Sequence, residues 1–144
     1  MTEGGLVSTA FFDRTYDEAL ALTVEARDYV AQDHDFDLQR GNLGDRLYLS
    51  CETMRLTSRM TYIMSWIFFQ RAVHEGEIGP EEVRRDECRL GGADICLDHD
   101  PDVVDVLPAH LRDLMERSLK LYQRIARLDE MLDRDLPGES GVRG

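Results

Sequence analysis

The sequence predicts an all-α protein, an elongated antiparallel three-helix bundle that pairs as a dimer. Two observations carry the fold class. Three long stretches repeat their apolar residues at steps of three and four, and no stretch alternates apolar with polar residues as a half-buried strand does. A third observation, a surplus of apolar positions in the middle stretch, carries the dimer.

The first helix is expected from Thr9 to Asp33. Phe12, Tyr16, Ala19, Thr23, Ala26 and Val30 fall on one stripe, which Leu20 and Val24 widen. Ser8 or Thr9 supplies a cap at the start. The charged run from Asp33 to Asp37 is read as the frayed end, and Gly41 marks the turn.

The second helix is expected from Asp45 to Glu75, with Asn42 as its cap. One stripe is Leu47, Cys51, Met54, Ser58, Thr61, Ser65, Phe68 and Ala72. A second is Thr53, Leu56, Met60, Ile63 and Ile67, and a third is Tyr62, Trp66, Phe69 and Val73. A helix apolar on most of its circumference has to be covered on most of it. Its small residues let neighbouring backbones come close. Cys51, on the first stripe, is read as a small core residue. Arg59, with apolar neighbours all round, is assigned a structural role, and Gly76 ends the helix.

The third helix is expected from Pro108 to Asp135, with proline at the first helical position. Leu107, Leu111, Leu114, Ser118, Leu121, Ile125, Leu128 and Leu132 form a heptad seam interrupted in chemistry only at Ser118. Glu116–Lys120 and Glu130–Arg134 have the spacing of favourable pairs on the polar side.

Between the second and third helices, Gly79-Pro80-Glu81-Glu82 opens a short polar helix that Gly91-Gly92 closes, and an irregular acidic loop follows over about 90–106. Residues 1–136 thus form a single domain, and 137–144 a flexible tail. Helices of this length reach about 40 Å, and short connections favour antiparallel neighbours. In a three-helix bundle each helix faces two others. The surplus on the second helix therefore implies a second copy packed on Tyr62, Ile63, Trp66 and Phe69.

Charge narrows the function. Seventeen basic and 29 acidic residues give a net charge of −12. That repels phosphate backbones and anionic membrane surfaces. The stretch from Met60 to Gln70 is charge-free but too short to span a bilayer, which takes about 20 apolar residues. Met1 to Ser8 shows no export signal, and three cysteines make no disulfide framework, so a reducing cytoplasm is expected.

No catalytic constellation emerges, and neither an enzyme nor a cofactor is expected. Asp98, Asp100 and Asp102 are spaced like the opening of a calcium loop, but Val103 and Ala109 stand where glycine and glutamate are needed. His34 sits among Asp33, Asp35 and Asp37 with no nucleophile beside it. A small metal-binding protein using Cys88, Cys96 and His99 is the alternative reading. His110 would be the fourth ligand, but Cys88 and His110 sit at arbitrary distances. A dimeric structural or assembly factor is a third.

The middle helix carries a resemblance. The run Glu52-Thr53-Met54-Arg55-Leu56-Thr57-Ser58-Arg59-Met60, then Ser65-Trp66, then Gln70-Arg71-Ala72-Val73-His74-Glu75-Gly76-Glu77-Ile78 resembles the signature of the alphaproteobacterial RcdA family, regulators of CtrA degradation. The resemblance implies a dimer of three-helix bundles acting as a non-enzymatic adaptor for the ClpXP protease, itself primed by a response-regulator adaptor. It implies delivery of cell-cycle substrates such as CtrA, directly or through a cyclic-di-GMP-binding adaptor, with recruitment to a cell pole. From the residues alone, Arg55 and Arg71 stand out as basic points along one side of the second helix of an acidic protein, and are expected to bind partners.

Overall fold

The computed structural model describes residues 9–79, 81, 89–97 and 106–135. Among these residues the chain forms helices α1 (Thr9–Gln32), α2 (His34–Arg40), α3 (Leu43–His74), α4 (Ala93–Cys96) and α5 (Ala109–Asp135), and no strand. The all-α reading holds. The frayed end expected after Asp33 is instead a separate short helix, α2. Asp35 and Asp37 in its first turn and Arg40 in its last oppose the partial charges of the helix ends.

α3 is bounded as its sequence suggests. The Asn42 side chain accepts the Asp45 N–H at 2.8 Å. At the other end Gly76 adopts φ +78°, and the Glu77 N–H donates to the Ala72 carbonyl at 2.8 Å while the Gly76 N–H donates to the Val73 carbonyl. This left-handed glycine closure uses up carbonyls the helix leaves over. α5 starts one residue after Pro108, whose carbonyl accepts the Arg112 N–H.

Three long helices share one core. Leu56, Ile63 and Ile67 of α3, Leu111, Leu114, Leu121 and Ile125 of α5, and Ala19 of α1 are fully enclosed. The heptad seam of α5 is buried as expected, with Leu128 half-buried. On α1 the covered stripe is rotated from the expected one. Phe12, Ala19 and Ala26 are buried, but Leu22 and Tyr29 join them, while Leu20, Val24 and Val30 are exposed.

The helix directions depart from a purely antiparallel bundle. Phe12 of α1 stacks on His74 of α3, and Glu18 and Glu25 of α1 reach Arg124 and Arg117 of α5, so α1 is antiparallel to both. Arg59 meets Met115 and Ser118, whereas Trp66 meets Asp129, so α3 and α5 run in the same direction. The reason is the long connection between them. Its described part, Arg89 to Leu97, packs on α3 and α5 and runs from the level of Asp129 back to that of Arg59. The expected polar helix after Gly79, the turn near Pro101 and the 137–144 tail lie outside the described residues, as does the side chain of Arg134 in the expected Glu130–Arg134 pair.

Candidate functional site

α3 is central, and its two sides are finished differently. One side is closed by the connection to α5. Arg59, 1% exposed, donates from Nε to the Cys96 carbonyl at 2.6 Å and from Nη1 to the Met115 carbonyl at 3.0 Å and Ser118 Oγ at 3.1 Å. The single polar break in the α5 seam is thus the acceptor for a buried arginine. Burial presses Arg59 below the usual arginine value, while nearby Glu52 works in the opposite direction.

One turn away, Arg55 pairs with Glu52 and donates to the Ile95 carbonyl at 3.0 Å. The two arginines therefore satisfy carbonyls at the end of α4, a role that lysine's single ammonium would fill less well. Tyr122 donates to the Gly91 carbonyl, and Arg89 pairs with Asp129 at 3.0 Å. The Tyr62 ring lies where a side chain at Gly92 would stand, and Gly92 has φ +77°, so both space and backbone demand glycine there. Cys96 is buried in this layer, and burial raises its thiol.

These contacts correct two of the expected dimer residues. Ile63 is fully buried, and Trp66 is 2% exposed with its indole N–H donating to Asp129 at 2.9 Å. Both are covered by the chain's own helices and offer nothing to a second copy. Tyr62 is partly exposed at the edge of the α4 layer, and Phe69 is half-buried at the edge of the opposite side. Arg55 is committed to α4. Arg71 stays on the surface, paired with Glu75 at 3.1 Å and lying over the Tyr16 ring.

The other side of α3 is open. The stripe that includes Leu47, Cys51, Met54, Thr61, Ser65 and Phe68 faces away from the core, and Leu47, Met54 and Phe68 are 60%, 69% and 54% exposed. The core position expected for Cys51 is therefore corrected: the thiol is exposed. Between this face and α1 runs a groove of about 970 Å³, lined by Leu20, Val30 and Ala31 of α1 and Thr57, Thr61 and Phe68 of α3. Its threonines turn their hydroxyls inward. Thr57 donates to Thr53, Thr61 to Thr57 and Thr23 to Ala19 carbonyls, at 3.0, 2.8 and 2.7 Å. With the hydroxyls satisfied by their own helices, the methyl groups are left to the groove.

α1 is tied to α5 by charge. Arg117 holds both oxygens of Glu25, at 2.9 and 3.1 Å, and His110 meets one of them at 2.9 Å. These bonds, Arg117 first and then His110, draw the Glu25 carboxyl down to about 2. Tyr29, buried and donating to Asp37 at 2.8 Å, is pushed above the usual tyrosine value, chiefly by burial. Among the described residues no three of the His, Cys, Asp and Glu side chains are grouped to hold a metal ion. Cys88 and His99 lie outside those residues.

An all-α bundle with one side of its central helix pinned by Arg55 and the buried Arg59, and the other left uncharged and open, is the class these features define. The chain belongs to the RcdA family. Residues 4–141 match the family described as "Protein of unknown function (DUF1465)". The crystal structure of RcdA from Caulobacter crescentus CB15 is similar at 31% identity over 84% of this chain and 89% of that one, with a TM-score of 0.66. No curated protein matches. No helix among the described residues is long and apolar enough to cross a membrane.

Proposed function

We propose that this protein is a non-enzymatic adaptor that delivers cell-cycle regulator substrates, such as CtrA, to the ClpXP protease. Membership of the RcdA family supports the class of function. The observation from the fold that carries it is the open, uncharged side of α3 on a chain of net charge −12. Apolar surface of this extent needs a macromolecular partner. The chemistry of adaptor action is tethering: cargo and protease held on one scaffold meet at raised effective concentration, so modest affinities suffice and release stays fast. ClpXP primed by a response-regulator adaptor and a cyclic-di-GMP-binding adaptor are the expected partners, in the cytoplasm and at a cell pole.

The adaptor acts as a homodimer, and the open side of α3 is its contact. Leu47, Met54, Thr61 and Phe68 recur every seven residues, and the small Cys51, Ser58, Ser65 and Ala72 recur beside them at the same interval. Two such helices laid antiparallel about a two-fold axis near Thr57 and Ser58 put Leu47 opposite Phe68 and Met54 opposite Thr61. No charged residue of α3 lies in the pairing stripe, and the small residues allow close approach. Phe69 and the α1 wall of the groove extend the contact. An interface of ordinary size buries about 1,200–2,000 Å² in total.

Reconstituted degradation tests the function. A cell-cycle substrate is incubated with ClpXP and its priming adaptor, with and without this protein, while ATPase activity is followed separately. Faster substrate loss in its presence is expected. Equal rates for every cargo tried would refute the adaptor reading.

A further inference from the structure

The centre of α5 reverses the charge of the rest of the chain. From Arg117 to Leu128 there is no acidic residue, in a chain with 29 of them, and the same stretch holds Arg117, Lys120, Arg124 and Arg127. Steps of three and four place these four cations on one face of the helix. A cleft of about 430 Å³ separates that face from α1, with Leu22 and Glu18 on the α1 side.

The cations divide into two sets. Arg117 and Arg124 are taken up by α1: Arg117 by Glu25, and Arg124 by Glu18 at 2.6 Å. Even so, Arg124 Nε is left without a hydrogen-bond partner. Lys120 pairs within its own helix, with Glu116 at 3.2 Å, where both groups are mostly exposed and the pair is weak. Arg127 is exposed.

We propose that this ridge docks a short acidic segment of a protein partner, with carboxylates on Lys120 and Arg127. Charge complementarity selects the occupant. An acidic segment is repelled by most of a surface of net charge −12 and attracted here, so the ridge fixes where it lands. Length selects against nucleic acid. The four cations span about 15 Å of helix, so a short segment is neutralised within the ridge, whereas a long polyanion runs off it onto acidic surface. The inference adds a partner surface to the adaptor reading, but its test involves no protease and stands or falls separately.

The probe is a fluorescein-labelled peptide of alternating Glu and Asp, about five residues long to match the ridge, titrated with the full chain at about 50 and 200 mM salt. Saturable binding with a Kd of roughly micromolar order, weaker at the higher salt, is expected. Lys120→Glu with Arg127→Glu is expected to weaken it at least about tenfold, with helicity and melting unchanged. Should that variant melt early, Lys120→Gln with Arg127→Gln makes the same comparison with a smaller charge change. Lys120→Arg with Arg127→Lys is expected to bind as the unaltered chain does. Absence of saturable binding, or equal binding by the charge-removed variants, would overturn the proposal. So would equally tight capture of a labelled single-stranded DNA of the same length, which would make the ridge a general anion site.

Discussion

The two sides of α3 are built from similar raw material and finished in opposite ways. Toward α4 and α5 it carries Arg55, Arg59, Tyr62 and Trp66, and the largest polar groups buried there have partners: Arg59 on the carbonyls of Cys96 and Met115, Trp66 on Asp129. On its other side it carries Leu47, Met54, Thr61 and Phe68, with no charge among them and all exposed. The first side is a core with a polar layer tied together by Arg59 and Trp66. The second has apolar residues at the same helical spacing, but none of the described elements covers it. Helical spacing alone therefore does not say which face is core; the elements that arrive to cover it decide.

Substitutions on the two sides should separate stability from assembly. The largest effect is expected in the core that both sides share. Leu121→Asp places a carboxylate at a fully enclosed position and costs several kcal/mol, enough to unfold the bundle. Circular dichroism should show loss of helicity, and an unchanged melting temperature would remove α5 from the core.

Next comes the polar layer. Arg59→Met removes the donor to the buried Cys96 carbonyl and to Ser118 Oγ, and leaves the Met115 carbonyl with the Ser118 hydroxyl, at a cost of about 3 kcal/mol, read as a lower urea midpoint. The protein should still fold, with the 89–97 segment opened to hydrogen exchange. Arg55→Glu should act in the same direction because it releases the Ile95 carbonyl, whereas Arg71→Glu on the surface should leave stability nearly unchanged. A partner-binding role for these two arginines is thus best tested through Arg71.

On the open side, Met54→Glu with Phe68→Glu should leave the melting of the monomer unit within about 0.5 kcal/mol, because both side chains are already exposed, yet abolish pairing. Sedimentation at matched concentrations checks this; a variant that remains dimeric would place the contact elsewhere.

The smallest effect concerns the tie between α1 and α5. Glu25 titrates at about 2 when folded, below the ordinary carboxylate value of 4.5, so its contribution is present above about pH 4.5 and lost as pH falls toward 2. Both partners are substantially exposed, so the contribution is at most about 1 kcal/mol. Glu25→Gln should lower stability slightly at pH 7, and the difference from the unaltered chain should vanish by about pH 2. A difference that stays constant with pH would show that the ion pair adds nothing.

Much of the fold was legible because α5 is simple. Its seam of leucines lies between charged faces, so only one register buries apolar area, and Ser118 appeared as the sole break. Its purpose became visible only with Arg59 beside it. α1 and α3 were harder for the opposite reason. Apolar residues surround most of each helix, so a rotation of one residue, from Thr23 and Val30 to Leu22 and Tyr29, changes the buried set without disturbing the period. For α3 the sequence held three stripes and no means of ranking them. The stripe left uncovered is the one richest in hydroxyls, and that signal could have been weighed. The parallel course of α3 and α5 follows from the length of the connection between them, which the expectation of antiparallel neighbours overlooked. The dimer residues failed at Ile63 and Trp66 because large apolar side chains suit cores as well as interfaces. The cationic ridge was missed although its signal, the absence of acids from Arg117 to Leu128, was in plain sequence.

The claim on which the adaptor reading of this fold rests is that the uncharged side of α3 is covered by a second copy. Sedimentation equilibrium of the full chain at micromolar concentration measures it directly. A single species at twice the chain mass of 16.5 kDa is the result expected, reverting to the chain mass in Met54→Glu with Phe68→Glu. A monomer for the unaltered chain across that range would contradict it.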